Sequence, residues 1–340
     1  MTSSDRWPEL TEFSEEFTCY SAAIATWIAL GDADWRAAID PSLWLALMEH
    51  DDGLFGFGHF RPGLRAGLGL VRVGAGTARE AIEGIAQELS ASGRVIVAGD
   101  GFALPWHVAY ARRHVPHWFV ITAEREILDP FACRNELGVQ AATRMSVQDA
   151  QLPALTAALP AADPVYELRE ALAFGDLAPR RDGDEHQWFV QRDPGPSTAP
   201  SGPIGPEAVT RLARHFEDNG ADASAYRQAD DLWSIARHRA FLAKHLAQLA
   251  TRSGDARLAA WVSDHGRPLA GRWAHIAPLI MQAQLALTAG RAPTGSVSRT
   301  LAELAQRESD AAAELAQRES DAAGEPVGKP DAGSISDSTP

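Results

Sequence analysis

The 340-residue sequence predicts an α+β fold, and three observations support this prediction. Helix and strand patterns are mixed up to about residue 175, and a segment rich in Pro, Gly, Asp and Ser follows over 176–206. Beyond it, apolar residues recur at spacings of three and four, which is typical of helices. We therefore expect a mixed domain over 1–175, a linker or long loop over 176–206, and a helical domain over 207–290.

The predicted elements of the first domain are two helices and three strands. They are, in chain order, a helix from Cys19 to about Leu30, an amphipathic helix over 77–90, and strands near 94–98, 117–122 and 126–129. A glycine-rich stretch over 53–58 superficially resembles a phosphate cradle, but no Gly-Lys-Ser/Thr follows it. A flexible loop on the substrate side is the favoured interpretation of this stretch.

The last fifty residues, 291–340, have no aromatic side chains and are acidic. The ten residues 303–312 recur at 314–323, a period of eleven that fits 3.67 residues per turn. Two copies are few for a supercoil, so the favoured interpretation is a partly helical or disordered acidic tail of low complexity.

Composition excludes several classes of function. The net charge of −14 argues against a nucleic-acid partner, because phosphate binding needs clustered Lys and Arg. No apolar run approaches the length of a membrane span, and acidic residues precede any signal-like apolar segment. Two cysteines cannot form a disulfide framework. A cytoplasmic protein with no membrane partner is expected.

Three residues could perform nucleophilic catalysis together. Cys19 stands at the predicted first turn of a helix, where the unpaired N–H groups favour a thiolate. His117 could accept the proton of the thiol, and Asp129 could orient the imidazole ring. The order Cys, His, Asp is that of papain-like enzymes. In an antiparallel hairpin, an odd number of loop residues places His117 and Asp129 on one face, whereas a two-residue turn separates them.

Each of these residues also has a structural explanation. A cysteine in an apolar helix is often a core residue, His117 could be a half-buried strand histidine, and Asp before Pro is common in turns. His107 and His114 lie close to His117 in sequence and are rival bases. No His, Cys or acidic pair shows metal-ligand spacing around a third such residue, so no metal and no cofactor are expected.

Five segments together resemble the butirosin biosynthesis protein H-like family, and they cover about residues 15 to 135. The segments are Phe17–Ala23, Leu54–Gly58, Val95–Trp106, Pro116–Ile121 and Ile127–Phe131. The resemblance implies a fold similar to that of C39 peptidases and papain, placed ahead of the helical domain. It also implies a cysteine acyltransferase of specialised natural-product biosynthesis.

The resemblance assigns roles to residues of this chain. Cys19 is then the nucleophile, His117 the general base and acid, and Asp129 the orienting group. The implied donor is a phosphopantetheine thioester on an acyl-carrier protein, and the implied acceptor is a small-molecule amine. The Gln that such enzymes carry before the cysteine as an oxyanion donor is missing here.

Docking of an acidic acyl-carrier protein needs a patch of basic residues on this chain. Separately, the helical domain could form a lid or a wall for the amine acceptor. The candidate basic residues are Arg61, Arg65, Arg72, Arg112 and Arg113. The candidate wall residues are Trp233, Trp261 and Trp273, although the favoured interpretation is that they fill the helical core. Two alternatives remain open from the sequence: a cysteine peptidase or amidase using water, and a binding protein with a buried, unreactive Cys19.

Overall fold

The computed structural model describes residues 3–31, 33–39, 42–159, 164–175, 183–193 and 201–324. The chain is 52% helix and 17% strand, which confirms the expected mixture of the two. Within the described ranges, no helix has both the length and the apolar character that crossing a membrane requires.

The described strands and helices follow one another through the first half of the chain and give way to helices in the second. The strands are β1 (Ala46–Glu49), β2 (Phe55–Gly58), β3 (Leu70–Ala75), β4 (Arg94–Asp100), β5 (Pro116–Thr122), β6 (Glu126–Asp129), β7 (Cys133–Asn135), β8 (Gly138–Gln140), β9 (Thr143–Ser146) and β10 (His186–Gln191). The helices are α1 (Ser3–Thr11), α2 (Cys19–Ala29), α3 (Trp35–Ile39), α4 (Leu64–Gly67), α5 (Ala78–Ser92), α6 (Leu152–Leu155), α7 (Pro164–Leu172), α8 (Pro206–Asp218), α9 (Ala229–Ser253), α10 (Ala256–Trp261), α11 (Arg267–Trp273), α12 (Ile276–Thr288) and α13 (Val297–Gly324).

A six-stranded antiparallel sheet organises the first half, in the order β3-β10-β4-β5-β6-β9. Side chains alternate along a strand, so each face of the sheet buries its own apolar cluster. On one face, Trp118 and Val120 of β5 pack in the cluster that contains α2. On the other face, Phe119 and Ile121 pack in the cluster that contains α5.

The predicted linker over 176–206 is wrong at β10, which pairs along its whole length with β3 and at Trp188 with Val97 of β4. The strand is a short Gln-Trp-Phe-Val run inside a Pro- and Gly-rich segment, so composition hid it. Its aromatic residues are buried in the sheet. Residues 176–182 and 194–200 of the expected linker lie outside the described ranges.

The helical half shares its core with a hairpin from the first half. Leu47 of β1 and Phe55 and Phe57 of β2 are buried among residues of α8, α9 and later helices. The Gln228 side chain fixes this hairpin, because its amide donates to the Phe55 carbonyl at 2.8 Å and accepts the Phe55 N–H at 2.9 Å. The predicted boundary between the mixed domain and the helical domain therefore does not coincide with the division between the hydrophobic cores.

The expected flexible loop at 53–58 is also wrong over most of its length. Phe55–Gly58 is strand β2, buried and paired with β1. The turn between the strands contains Gly53 with φ of 75°, a conformation that glycine adopts without strain. A Cβ at Gly56 would lie 2.7 Å from Leu172 Cδ1, so close packing against α7 explains that glycine.

Helix α13 decides between the two interpretations of the tail over 291–340, partly helical or disordered, because Val297–Gly324 is helical. Leu301, Leu304 and Ala311 are buried in the helical core, so this acidic sequence is amphipathic along most of the helix. Glu308 is completely buried and pairs with Arg239 of α9 at 2.6 Å, and it also accepts the Trp273 indole N–H at 2.7 Å. Residues 325–340 lie outside the described ranges.

We expect Glu308→Ala to lower the free energy of unfolding by about 3 to 5 kcal/mol, because it leaves the Arg239 guanidinium buried without its counter-ion. Urea unfolding followed by circular dichroism measures this loss. Glu314→Ala is the matched control, because Glu314 pairs with His265 at an exposed position and should contribute no more than about 1 kcal/mol. Equal losses in the two variants would contradict the buried pair's role.

Candidate active site

Cys19 is the first residue of α2, as the sequence predicted. Thr18 caps the helix: its hydroxyl accepts the Ser21 N–H at 3.2 Å, and the Ser21 hydroxyl accepts the Thr18 N–H at 2.8 Å. This reciprocal capping box starts the helix at Cys19. The residues after it, Tyr20–Ala29, are buried, whereas Cys19 is only half-buried. The thiol therefore stands at the positive end of the helix dipole, next to the surface.

The β5–β6 hairpin brings His117 and Asp129 to the same face. Ile121 pairs with Ile127, which leaves the three-residue loop 123–125 between Thr122 and Glu126. Arg125 in this loop has φ of 59°, the left-handed turn conformation. Because the loop has an odd number of residues, His117 and Asp129 are diagonal neighbours on one face of the hairpin. This is the loop parity that the sequence analysis required for the two side chains to meet.

The three candidate residues form one constellation. His117 Nε2 lies 2.7 Å from Asp129 Oδ2, and both side chains are almost fully buried. The Cys19 side chain is close enough to the His117 ring to act on its pKa. Burial alone would lower the pKa of His117, but the charge and hydrogen bond of Asp129, helped by Cys19, raise it to about 10. At neutral pH the ring is therefore an imidazolium between a carboxylate and the thiol.

Two further side chains hold Asp129, and the sequence analysis gave neither of them a role. Trp106 Nε1 donates to Asp129 Oδ2 at 2.9 Å, and Gln140 Nε2 donates to the same oxygen at 3.1 Å. The Phe131 N–H donates to Oδ1 at 3.2 Å. These three donors fix the orientation of the carboxylate. Trp106 ends one of the family-like segments, whereas no sequence signal singled out Gln140.

The rival histidines have other partners. His107 Nδ1 accepts the Ala109 N–H at 3.1 Å, and its ring centroid lies 4.5 Å from that of His117. Burial first, and repulsion from His117 second, lower the pKa of His107 to about 2, so it is neutral and a poor base. His114 Nδ1 lies 2.5 Å from Asp100 Oδ2. Asp100, for which no role was predicted, thus pairs with His114.

The position six residues before Cys19 belongs to the core and offers no oxyanion donor. It is Phe13, which packs edge-on against Trp35 at 5.5 Å and against Phe241 at 5.1 Å. The backbone N–H of Cys19, in the first turn of α2, is one donor that the helix supplies. Across the described ranges, no group of three or more His, Cys, Asp or Glu side chains is arranged to hold a metal ion.

We expect the stabilisation due to His117 to decrease at alkaline pH. Its folded pKa of about 10 lies above the ordinary 6.5, so the stabilisation is complete below 6.5 and is lost as the pH rises through 10. The difference in unfolding free energy between wild type and His117→Gln should therefore shrink by at least about 1.4 kcal/mol between pH 6 and pH 10.

Urea unfolding at the two pH values measures this change. The exposed His275 provides the control variant His275→Gln, which should show no such change. An unchanged difference for His117→Gln would contradict the buried imidazolium.

Neither a family model nor a curated protein matches this sequence. What Cys19, His117 and Asp129 do must therefore be inferred from their own geometry and from the residues that surround them.

Proposed function

We propose that this chain is a cysteine-dependent acyltransferase of specialised biosynthesis, with a papain-like catalytic domain in its first half. It would move an acyl group from a carrier-protein thioester to an amine through a thioester on Cys19. The observation that supports this most is the constellation itself: a thiol at a helix start, close to an imidazole that is hydrogen-bonded to a buried carboxylate. The resemblance to the butirosin biosynthesis protein H-like family points to the same chemistry.

In the first step, the sulfur of Cys19 attacks the carbonyl carbon of the donor thioester. The positive His117 ring favours the thiolate, which is the nucleophilic form of cysteine. A tetrahedral intermediate forms, and the helix-terminal N–H of Cys19 donates to its oxyanion. When the carbon–sulfur bond of the donor breaks, the proton of His117 goes to the departing pantetheine thiol.

In the second step, the amine attacks the carbonyl carbon of the Cys19 thioester. His117, now neutral, accepts the proton that the amine loses, and the Cys19 sulfur leaves as the amide forms. Asp129 stabilises the imidazolium in both steps and holds its Nε2, which leaves Nδ1 for the sulfur. Trp106 and Gln140 keep this carboxylate from turning away.

The three tryptophans considered for the acceptor wall have different surroundings. Trp261 and Trp273 are buried in the helical core and bond to α13. Trp233 of α9 instead packs against the first-half cluster, with its ring 6.4 Å from that of Phe131. Phe131 in turn lies 5.7 Å from the His117 ring, which supports Trp233 as the one of the three tryptophans that would form a wall for the acceptor.

The first test is intact-protein mass after incubation with a panel of acyl-pantetheine thioesters. We expect an acyl-sized increase in the wild type and none in Cys19→Ala, because only Cys19 has the imidazole partner. Cys133→Ala is the matched control and should still form the adduct. Burial raises the pKa of the Cys133 thiol to about 11, so that thiol is a weak nucleophile.

Discharge of the adduct distinguishes the alternatives. Rapid loss to water without any amine would favour a hydrolase, whereas discharge by added amines favours a transferase. If neither pantetheine thioesters nor carrier-bound thioesters form an adduct, and iodoacetamide fails to alkylate Cys19 in the folded protein, nucleophilic catalysis is rejected in favour of a binding protein.

Of the five arginines proposed for carrier docking, Arg61 is exposed and the other four divide into two groups. Arg65 is buried and donates to the Leu70 carbonyl at 2.8 Å, and Arg72 pairs with the buried Glu170. These two cannot meet a carrier. Arg112 and Arg113 are exposed in the loop that precedes β5 and His117, so they can.

We expect the double variant Arg112→Glu/Arg113→Glu to raise the apparent KM for a carrier-bound donor by about tenfold or more, because it replaces two favourable charges by repulsive ones. The KM for a free acyl-pantetheine should stay unchanged. Steady-state kinetics with both donors measures this. Arg79→Glu, at an exposed position on α5, is the control. An equal effect on both donors would reject a docking role for the pair.

A further inference from the structure

Arg237 is a buried arginine of α9 that reaches from the helical half into the candidate active site. Its guanidinium donates to the carbonyl of Phe17 and to the carbonyl of Ala132. Phe17 directly precedes the helix cap Thr18. One side chain of the second half therefore touches the backbone immediately before the nucleophile.

The second carbonyl belongs to the segment that carries the orienting carboxylate. Ala132 follows Phe131, whose N–H donates to Asp129. The Ala132 N–H also donates to the Ser14 carbonyl at 3.0 Å, so the two segments already meet there. Arg237 bridges the same pair of segments from the other side, through a planar fork of donors that a lysine could not reproduce.

Aromatic rings enclose the guanidinium. Its carbon lies 4.3 Å from the Trp233 ring centroid and 5.1 Å from that of Phe131, distances that are typical of cation–π contacts. Over the described part of the chain, its hydrogen-bond partners are the two carbonyls and no carboxylate. A buried cation without a bonded counter-ion favours an anion nearby, because the low dielectric strengthens their attraction.

The groups that act on Arg237 show which anions those could be. Burial lowers the pKa of Arg237 to about 10, while Cys133, Glu16, Glu15 and Cys19 raise it. Within the described ranges, the titratable groups that interact electrostatically with Cys19 include His117 of β5, Tyr20 of α2, Cys133 of β7 and Arg237 of α9. Of the four, His117 and Arg237 are the cations, and they belong to different halves of the chain.

We infer that Arg237 is a positioning residue of the active site: it clamps the Cys19 helix start to the segment after Asp129, and its charge favours the Cys19 thiolate. This inference rests on the proposed nucleophilic role of Cys19. It makes the helical half part of the catalytic machinery, since the segments that carry Cys19 and Asp129 are held together by a side chain of α9.

The test is the pH dependence of Cys19 alkylation by iodoacetamide in the full chain, read by peptide mass so that Cys133 does not interfere. In Arg237→Met we expect the pH midpoint for Cys19 to move upward by about half a unit to one unit, as the loss of one nearby positive charge requires. Arg237→Lys should lie between Arg237→Met and the wild type, because it keeps the charge but not the fork.

Arg239→Met is the matched control, because Arg239 is also a buried arginine of α9 that donates to carbonyls, those of Leu43 and Trp44. It should destabilise the protein without moving the midpoint for Cys19. If Cys19 is reactive in the wild type and its pH midpoint of alkylation does not move in folded Arg237→Met, the inference about Arg237 is overturned. The proposed function would be unaffected by that result. A Cys19 that is unreactive in the wild type would overturn the proposed function and the inference with it.

Discussion

The hydrogen bond between His117 and Asp129 depends on the pairing of two adjacent strands, and the other features of the site depend on that bond. Three loop residues between β5 and β6 set the register of this pairing. A loop longer or shorter by one residue would place His117 and Asp129 on opposite faces of the sheet. Both groups are buried, so each needs the other to offset its desolvation. With the pair in place, the carboxylate engages Nε2 and does not occupy the second ring nitrogen, Nδ1.

Helix α9 links the two halves of the molecule through two arginines that lie two residues apart. Arg237 bonds to backbone on either side of the candidate site, and Arg239 bonds to Glu308 of α13 and to backbone before β1. Burying a cation is costly unless its donors are satisfied, so these contacts fix how α9 sits against the sheet half. The site and the helical core are thereby parts of one packed structure.

Composition misled the sequence analysis at two places for related reasons. The β10 strand is six residues long and is surrounded by Pro, Gly and Asp, whereas α13 has no aromatic residue and many acidic ones. In both segments a few apolar side chains are enough to hold the element in the fold, because a neighbouring strand or helix covers them. β10 is sandwiched between β3 and β4, and α13 lies against α8. Composition averaged over a long window does not register such local burial.

Local patterns were enough to predict the start of α2 at Cys19, the strands that carry His117 and Asp129, and the odd loop length that lets the two side chains meet. These features follow from turn, cap and alternation patterns, which involve residues close together in the chain. The residues that support the site, in contrast, come together only through tertiary packing. Gln140 bonds to Asp129 across 11 positions, Trp106 across 23, and Arg237 bonds to Phe17 across 220. Such contacts arise only when separate elements pack, so no local pattern encodes them.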